Sequence, residues 1–259
     1  LIATMEDMFT HQSGMLFEKT LLDAVGPFDT SLRRSVDYDY ILRASRNSTS
    51  AACRSIVFHQ RQHDGDRGAG ASKFPASEMV GRWIQHDQII FRNIHESWPL
   101  DEFLPRGEIV DGRSSRRQAL IQRGVVMARK KMWDHALKDF AQAATLMKGK
   151  LTETERQIAQ RGTQAKYGVQ ELLDNSLIGR GLREIAGLSS VGAELVGELA
   201  TGFRWRIRDE LTQYHPRKAS RLLQLYITLT SSAFHNSRPS DSPWYPEDFL
   251  VTSHKTPGK

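Results

Sequence analysis

Cysteine, long apolar runs and a secretory signal are all scarce or missing in this chain. The 259 residues include a single cysteine, Cys53, which excludes an internal disulfide. No apolar run reaches the roughly 18 residues that a helix needs to cross a bilayer. The N-terminus lacks a basic segment followed by an apolar core, the pattern of a signal peptide. Together these absences predict a cytoplasmic location.

Several common enzyme sites are also missing from the sequence. There is no closely spaced set of cysteines and histidines for zinc, no glycine-rich phosphate loop ending in Lys-Ser or Lys-Thr, and no Gly-x-Ser-x-Gly turn for a nucleophilic serine. The composition, 39% hydrophobic and 25% charged, is that of an ordinary globular chain with one or two modest domains. A hydrolase is therefore not expected.

Residues 17–47 predict two helices separated by a turn. Apolar residues recur at helical spacing in the first helix, and Gly26 followed by Pro27 ends it. Ser35 is the predicted N-cap of the second helix. One face of that second helix is predicted to hold Tyr38, Ile41, Leu42 and Ser45.

Two carboxylates, Asp37 and Asp39, lie at the opening of the second helix. They are two residues apart, so they point in different directions and are expected to have different roles. Asp37 either acts as a base or favours the helix dipole, an effect of about 0.3 to 1 kcal/mol. Asp39 either binds a substrate or orients Arg43 as an ion pair one turn later. The residues alone leave these alternatives open.

Four short motifs occur in order between residues 8 and 75. They are Gly-Met-Leu-Phe at 14–17, Val-Gly-Pro-Phe-Asp at 25–29, Asp-Tyr-Asp-Tyr-Ile-Leu-Arg at 37–43 and Arg-Gln-His-Asp-Gly at 61–65. As an ordered set they resemble the C-terminal part of the catalytic domain of family-two glycosyltransferases. That resemblance implies an α/β fold for residues 1–75, part of a Rossmann-like GT-A domain. It also implies transfer of a sugar from a nucleotide-sugar with inversion at the anomeric carbon.

The same resemblance implies roles for individual residues. Asp37 matches the general base that takes the proton of the acceptor hydroxyl, although Val36 stands where the family usually has glutamate. Asp39 and Arg43 are candidate substrate-binding residues beside it.

Residues 55–61 are predicted to form a short strand that enters a glycine-rich loop. By resemblance, His63 would lie near the donor diphosphate, where Arg61 and Arg67 could offset negative charge. The alternative is a solvated polar loop without a ligand.

Metal binding is not expected within these residues. Two Asp-x-Asp pairs, at 37–39 and 64–66, fit the literal pattern that such enzymes use for a divalent cation, but neither follows a buried strand. We expect Mn²⁺ or Mg²⁺ in the complete enzyme, with its ligands mostly outside this sequence, because the donor-binding half would precede residue 1. The expected partners are a nucleotide-sugar donor and a glycan, lipid or protein acceptor.

The predicted character changes to helical over residues 76–235. Gly124, Ala136, Phe140 and Ala143 have the spacing of one tetratricopeptide-like hairpin at 116–148, with Trp133 and Asp134 at its turn. In that pattern Gly124 and Phe140 pack closely between the two helices. A generic hairpin and a partner-binding repeat are both consistent with the pattern.

Two further segments follow the hairpin. Residues 182–203 predict one amphipathic helix that carries a glycine at about every fifth position. Residues 236–259 predict an irregular tail.

The net charge of +6 comes from scattered basic residues. The segments 204–208 and 217–226 combine arginine with tryptophan and leucine, which suits either a peripheral contact with an anionic membrane or an ordinary helix surface. No nucleic-acid recognition motif is present, so nucleic acid is not an expected partner. The competing functional class is a non-enzymatic helical interaction protein that carries a degenerate transferase segment.

Overall fold

The computed structural model of the chain describes residues 1–8, 10–51, 55–56, 59 and 75–235. The regular structure of these residues is helical. The α-helices are α1 Ile2–Glu6, α2 Lys19–Val25, α3 Val36–Asn47, α4 Met79–Ser97, α5 Arg113–Arg129, α6 Trp133–Leu146, α7 Glu153–Arg161, α8 Gln170–Asp174, α9 Ser176–Leu188, α10 Ser190–Thr201, α11 Phe203–Thr212 and α12 Pro216–His235. The predicted tail at 236–259 lies outside the described residues.

The predicted α/β fold with a partial Rossmann-like GT-A domain at the N-terminus is wrong. None of the residues just named as described lies in a β-strand, and 1–51 contain helices and turns. The apolar residues of this region recur every three or four positions, which buries one face of a helix and does not give the alternation of a strand. Of the predicted strand at 55–61, only Ser55, Ile56 and His59 are described, and they form no strand.

The chain divides into two compact units, Leu1–Trp98 and Pro99–Lys259. The sequence pattern predicts a boundary near residue 75. In the structure α4 belongs with the first unit, which we call unit 1; the remainder is unit 2.

Unit 1 is assembled around α3. Tyr38, Ile41 and Leu42 are buried on the predicted apolar face, so that prediction is confirmed for these three residues. The Tyr38 hydroxyl donates a hydrogen bond of 2.7 Å to the carbonyl of Thr4 in α1. Its ring lies 5.6 Å from the ring of Phe91 in α4. One side chain of α3 therefore ties α1 and α4 to the helix that carries Asp37.

Unit 2 has the α5–α6 hairpin in its interior. Almost every residue of α5 from Ala119 to its end is buried. A Cβ atom added to Gly124 would lie 2.5 Å from Cε1 of Phe140, so the two helices approach as closely as a glycine allows. The close packing predicted for this pair is confirmed. Trp133 and Asp134 open α6 directly after the turn.

The glycine-spaced segment at 182–203 is not one helix, which corrects the prediction. α9 ends at Leu188 and α10 begins at Ser190. Between them, the Ser189 hydroxyl accepts a hydrogen bond of 3.0 Å from the Gly192 amide and donates one of 2.6 Å to the carbonyl of Ala144. Because a serine N-cap satisfies the free amides at a helix start, it stabilises the break.

Candidate functional site

Asp37 lies in the first turn of α3 and is half-buried. One of its carboxylate oxygens accepts a hydrogen bond of 3.0 Å from the Tyr38 amide. No cation pairs with this carboxylate among the residues described in unit 1. The remaining hydrogen-bonding capacity of the Asp37 carboxylate is therefore not committed to an ion pair with these residues.

Ser35 holds the start of α3 in place by a contact that the sequence did not suggest. It occupies the predicted N-cap position, but its side chain makes no capping bond. Instead its hydroxyl donates a hydrogen bond of 2.9 Å to Asp87 of α4, 52 positions away. Ser35 also has a φ of 55°, in the left-handed region that non-glycine residues rarely adopt. Asp37 thus follows a constrained turn that is anchored on α4.

Asp39 and Arg43 form the ion pair that was one of the two alternatives for them. The guanidinium Nε of Arg43 donates a hydrogen bond of 2.9 Å to Asp39. Its Nη1 and Nη2 groups donate hydrogen bonds to the carbonyls of Val25, at 2.8 Å, and Pro27, at 3.0 Å. The last carbonyl groups of a helix have no hydrogen-bond donor within the helix. Arg43 supplies a donor to the last carbonyl of α2 and to one in the turn that follows. A substrate-binding role for the two residues stays a prediction.

An aromatic groove opens beside α3. It has a volume of about 630 Å³ and is lined by Gln12, Phe17, Leu22, Asp23, Gly26, Pro27, Phe28 and Tyr40. The rings of Phe28 and Tyr40 lie 4.5 Å apart, and that of Phe17 stands edge-on to Tyr40 at 5.9 Å. Tyr40 is three residues after Asp37, so the two side chains leave α3 on neighbouring parts of its surface.

Sequence reasoning missed this groove. Phe28 and Tyr40 each belong to one of the sequence motifs, but the motifs do not show that the two rings meet. Their contact joins the turn after α2 to the middle of α3. The one local signal was Phe28 itself, an aromatic residue in a turn that remains 41% exposed.

Basic residues gather at the start of α3, and sequence reasoning missed this cluster too. Burial and the charges of Arg34, Arg82 and Arg33 hold the pKa of His86 below its ordinary value. The Ser35–Asp87 hydrogen bond explains the arrangement, because it brings the turn with the two consecutive arginines against α4. Arg33 and Arg34 thus lie beside the N-terminus of α3, whose helix dipole is also positive there, while Arg82 is paired with Glu78.

Asp29 of the Val-Gly-Pro-Phe-Asp motif has a turn-forming role. Its carboxylate accepts hydrogen bonds from the Ser31 hydroxyl, at 2.7 Å, and the Ser31 amide, at 2.8 Å. These two bonds hold the pKa of the Asp29 carboxyl below its ordinary value. The side chain thereby replaces a backbone contact and shapes the turn that presents Phe28.

Three predicted site residues lie outside the described residues. Arg61, His63 and Arg67 were assigned to a loop over the donor diphosphate, and that assignment stays a prediction.

The described residues do not fit a divalent cation. No group of three or more histidine, cysteine or acidic side chains in the described part of the chain is arranged to hold a metal ion. In the Asp37–Asp39 pair, the Asp39 carboxylate is already neutralised by Arg43. We therefore assign no step to a metal.

The α5–α6 hairpin offers little surface for a partner. α7 packs against α5, and α9 and α10 pack against α6. Gly124, Ala136, Phe140 and Ala143 are all buried. The geometry of the hairpin therefore favours a packing role within unit 2.

No helix among the described residues is long and apolar enough to cross a membrane.

Three kinds of comparison with known proteins were negative. No protein-family model, curated protein or solved structure matches this chain.

Proposed function

We propose that this chain takes part in transferring a sugar from a nucleotide-sugar donor to an acceptor hydroxyl with inversion, and that Asp37 is the general base. The observation that supports the proposal is a half-buried carboxylate without an ion-pair partner in the described part of unit 1, one helical turn from an aromatic groove. The motif resemblance across residues 8–75 assigns the same carboxylate the same role.

The proposed reaction needs a base at one point only. As the acceptor oxygen forms its bond to the anomeric carbon, the bond from that carbon to the donor phosphate breaks, and the nucleoside diphosphate leaves with the electron pair. The acceptor proton moves to the carboxylate of Asp37. Inversion follows because the acceptor attacks from the face opposite the leaving group. Asp37 therefore has to be positioned on the acceptor side.

The aromatic groove is the proposed acceptor site. Sugar rings have apolar faces of C–H groups that pack against aromatic rings, and a few polar groups fix their orientation. Phe28 supplies an exposed ring, which packs on the buried ring of Tyr40, while Gln12 and Asp23 supply polar groups at the groove. This lining fits a glycan acceptor, and a glycan attached to a lipid or a protein would present the same sugar.

The basic cluster around His86 supports an anionic donor. A nucleoside diphosphate carries negative charge on both phosphates, and the charge increases on one phosphate as the bond to the sugar breaks. The positive charges of Arg33 and Arg34 would stabilise that charge, and Arg82 would contribute less because Glu78 pairs with it at 3.1 Å. The predicted loop residues Arg61, His63 and Arg67 would add to it. We further propose that the protein acts in the cytoplasm.

The test is a transfer assay with a panel of nucleotide-sugars, simple glycan acceptors and Mn²⁺ or Mg²⁺, using the longest natural polypeptide that contains this sequence. We expect transfer from at least one donor, and a product whose anomeric configuration, measured by proton NMR, is inverted. A retained configuration would contradict the assignment of Asp37 as base. Absence of turnover on every donor, with folding intact, would instead favour a non-enzymatic helical protein.

A further inference from the structure

The outer surface of α11 and the turn after it carry a contiguous set of arginines and exposed apolar side chains. We call this set the α11 face; it comprises Arg204, Trp205, Arg208, Leu211 and Tyr214. Trp205 is 44% exposed, Leu211 55% and Tyr214 90%. Arg204, Arg208 and Leu211 follow one another at helical spacing, so they lie along one stripe of the helix.

The side chains of the α11 face are not part of the core of unit 2. The opposite side of α11 packs against α12 and α10, and it buries Phe203 completely. Trp205 is held in place at the boundary, because the guanidinium of Arg206 lies 4.4 Å from the centre of its ring. Arg206 in turn donates a hydrogen bond of 3.0 Å to the carbonyl of Ala165. The indole is thus both exposed and fixed.

The backbone conformation and the exposure of Tyr214 are both unfavourable for a tyrosine whose only role is in folding. Its φ of 60° lies in the left-handed region, where glycine or asparagine is favoured and a bulky residue is strained. With 90% of its surface in water, its side chain adds nothing to the core. The turn itself ends α11, since the His215 amide donates a hydrogen bond of 2.8 Å to the carbonyl of Glu210, but that turn does not need an aromatic ring, and the ring is exposed for contact with a partner.

Charge on the α11 face is of one sign. Arg204, Arg208 and the neighbouring Arg217 have no ion-pair partner among the described residues of unit 2. The two nearby acids are engaged elsewhere. Asp209 accepts a hydrogen bond from Gln213, and Glu210 is buried and bonded to His215 and Lys218.

We propose that the α11 face binds the surface of an anionic lipid bilayer. Arg204, Arg208 and Arg217 would contact lipid phosphates, while Trp205, Leu211 and Tyr214 enter the interface between headgroups and acyl chains. Tryptophan and tyrosine suit this depth because each has an apolar ring and one polar group. A nucleic acid would satisfy the arginines but leave Leu211 in water, so the apolar side chains favour the bilayer. The proposal rests on unit 2 alone and does not depend on the proposed transferase activity.

The test is flotation of the full chain with vesicles of phosphatidylcholine, with and without phosphatidylserine. We expect binding only to vesicles that contain phosphatidylserine. The pair Arg204→Glu and Arg208→Glu is expected to lower the partition coefficient about tenfold or more. The pair Leu211→Ser and Tyr214→Asn is expected to lower it about tenfold, because the interfacial contacts are lost while the charge is unchanged. Both pairs alter exposed side chains, and circular dichroism checks their folding.

The matched control is the pair Arg113→Glu and Arg116→Glu, which makes the same charge change on exposed arginines of α5. This control is expected to retain most of the binding. An equal loss in the control would show that only net charge matters and would overturn the proposal. Unchanged vesicle binding by the Leu211→Ser and Tyr214→Asn variant would also overturn the proposal. A third result would do the same: single-stranded RNA displaces the native protein from vesicles, and that variant binds the RNA as tightly as the native chain does.

Discussion

Arg117 and Glu155 are a buried ion pair that joins two distant parts of unit 2. Their side chains are 2% and 1% exposed, and the guanidinium donates two hydrogen bonds of 2.7 Å to the carboxylate. Glu155 also accepts a hydrogen bond of 2.7 Å from the Thr152 amide, within the N-terminal capping box of α7. Nothing local in the sequence indicates this pair, because its members are 38 positions apart.

Replacing one member of this pair should destabilise unit 2. Arg117→Met leaves the Glu155 carboxylate buried without its cation, and we expect a loss of about 3 kcal/mol or more in the free energy of unfolding. Urea denaturation measures it. Adding Glu155→Gln should recover part of the loss, since no buried charge remains and glutamine keeps the capping box. Arg113→Met, at an exposed arginine of the same helix, should stay within about 0.5 kcal/mol of the native chain.

The proposed acceptor site in the aromatic groove can be tested by replacing a single residue. Phe28→Ala removes a ring that packs against Tyr40, so we expect KM for the acceptor to rise about tenfold, a loss of about 1.4 kcal/mol of binding. The measurement is steady-state transfer at saturating donor, with kcat nearly unchanged. Leu16→Ala is the control, because Leu16 is fully exposed and does not line the groove. An unchanged KM in Phe28→Ala would remove the groove from the proposed site.

Glycines decide how closely the helices of unit 2 approach one another. A Cβ atom added to Gly192 of α10 would lie 2.1 Å from the carbonyl oxygen of Ile185 in α9. One added to Gly202, at the end of α10, would lie 2.1 Å from the Thr163 hydroxyl and 2.2 Å from the carbonyl oxygen of Gln160. The regular glycine spacing in this segment is therefore explained in part by close contacts with the backbone of neighbouring segments.

We expect Gly192→Ala to destabilise unit 2 by roughly 1 to 3 kcal/mol, because the added methyl group meets backbone that cannot move aside. Thermal unfolding followed by circular dichroism checks this. Gly179→Ala is a matched control in α9, where the added atom would meet only the end of a flexible arginine at 3.6 Å. That variant should be neutral or more stable, since alanine favours a helix more than glycine does. Equal destabilisation of both variants would contradict the packing account.

Helices were more predictable from this sequence than their partners were. The periodicity of residues 17–47 located α2, its end at Gly26 and the buried face of α3, because helical spacing is a local property. The break at Ser189 was missed, since its hydroxyl bonds depend on Ala144 in another helix. The predicted α/β fold failed for a related reason: three of the four motifs that carried the resemblance lie in helices and turns, and the fourth, at 61–65, lies outside the described residues.

At the scale of the whole molecule, unit 2 should lose stability in acid through Glu210. Burial opposes ionisation of this carboxyl, but hydrogen bonds from Lys218 and His215 outweigh it and hold its pKa below the ordinary 4.5. A folded-state pKa below the unfolded value means that the ionised group stabilises the fold above the unfolded pKa. That contribution is lost as the pH falls through the folded-state pKa.

Glu210→Gln should therefore be less stable than the native chain near neutral pH, and the difference between them should shrink below a pH of about 4.5. Urea denaturation at several pH values measures both curves. Glu108→Gln is the control, at an exposed glutamate of unit 2, and its curve should follow that of the native chain. Parallel curves for Glu210→Gln and native protein would contradict the role of this carboxylate.

The candidate site was only partly accessible to sequence reasoning. Asp37 was predicted as the base because residue type, helix position and motif order coincide at one place. The groove and the basic cluster were missed because they depend on contacts between the turn after α2, the start of α3 and α4. Patterns along the chain do not record which turns meet in space.

The measurement that tests the central claim most directly compares the native protein with Asp37→Asn, using the donor that supports transfer. We expect kcat to fall at least 100-fold, the lower end of the effect of a general base, while donor affinity measured by calorimetry stays the same. Glu18→Gln, the same change at an exposed carboxylate of unit 1, should leave kcat unchanged. Full activity in Asp37→Asn would contradict the account, and so would a loss of activity that follows loss of donor binding.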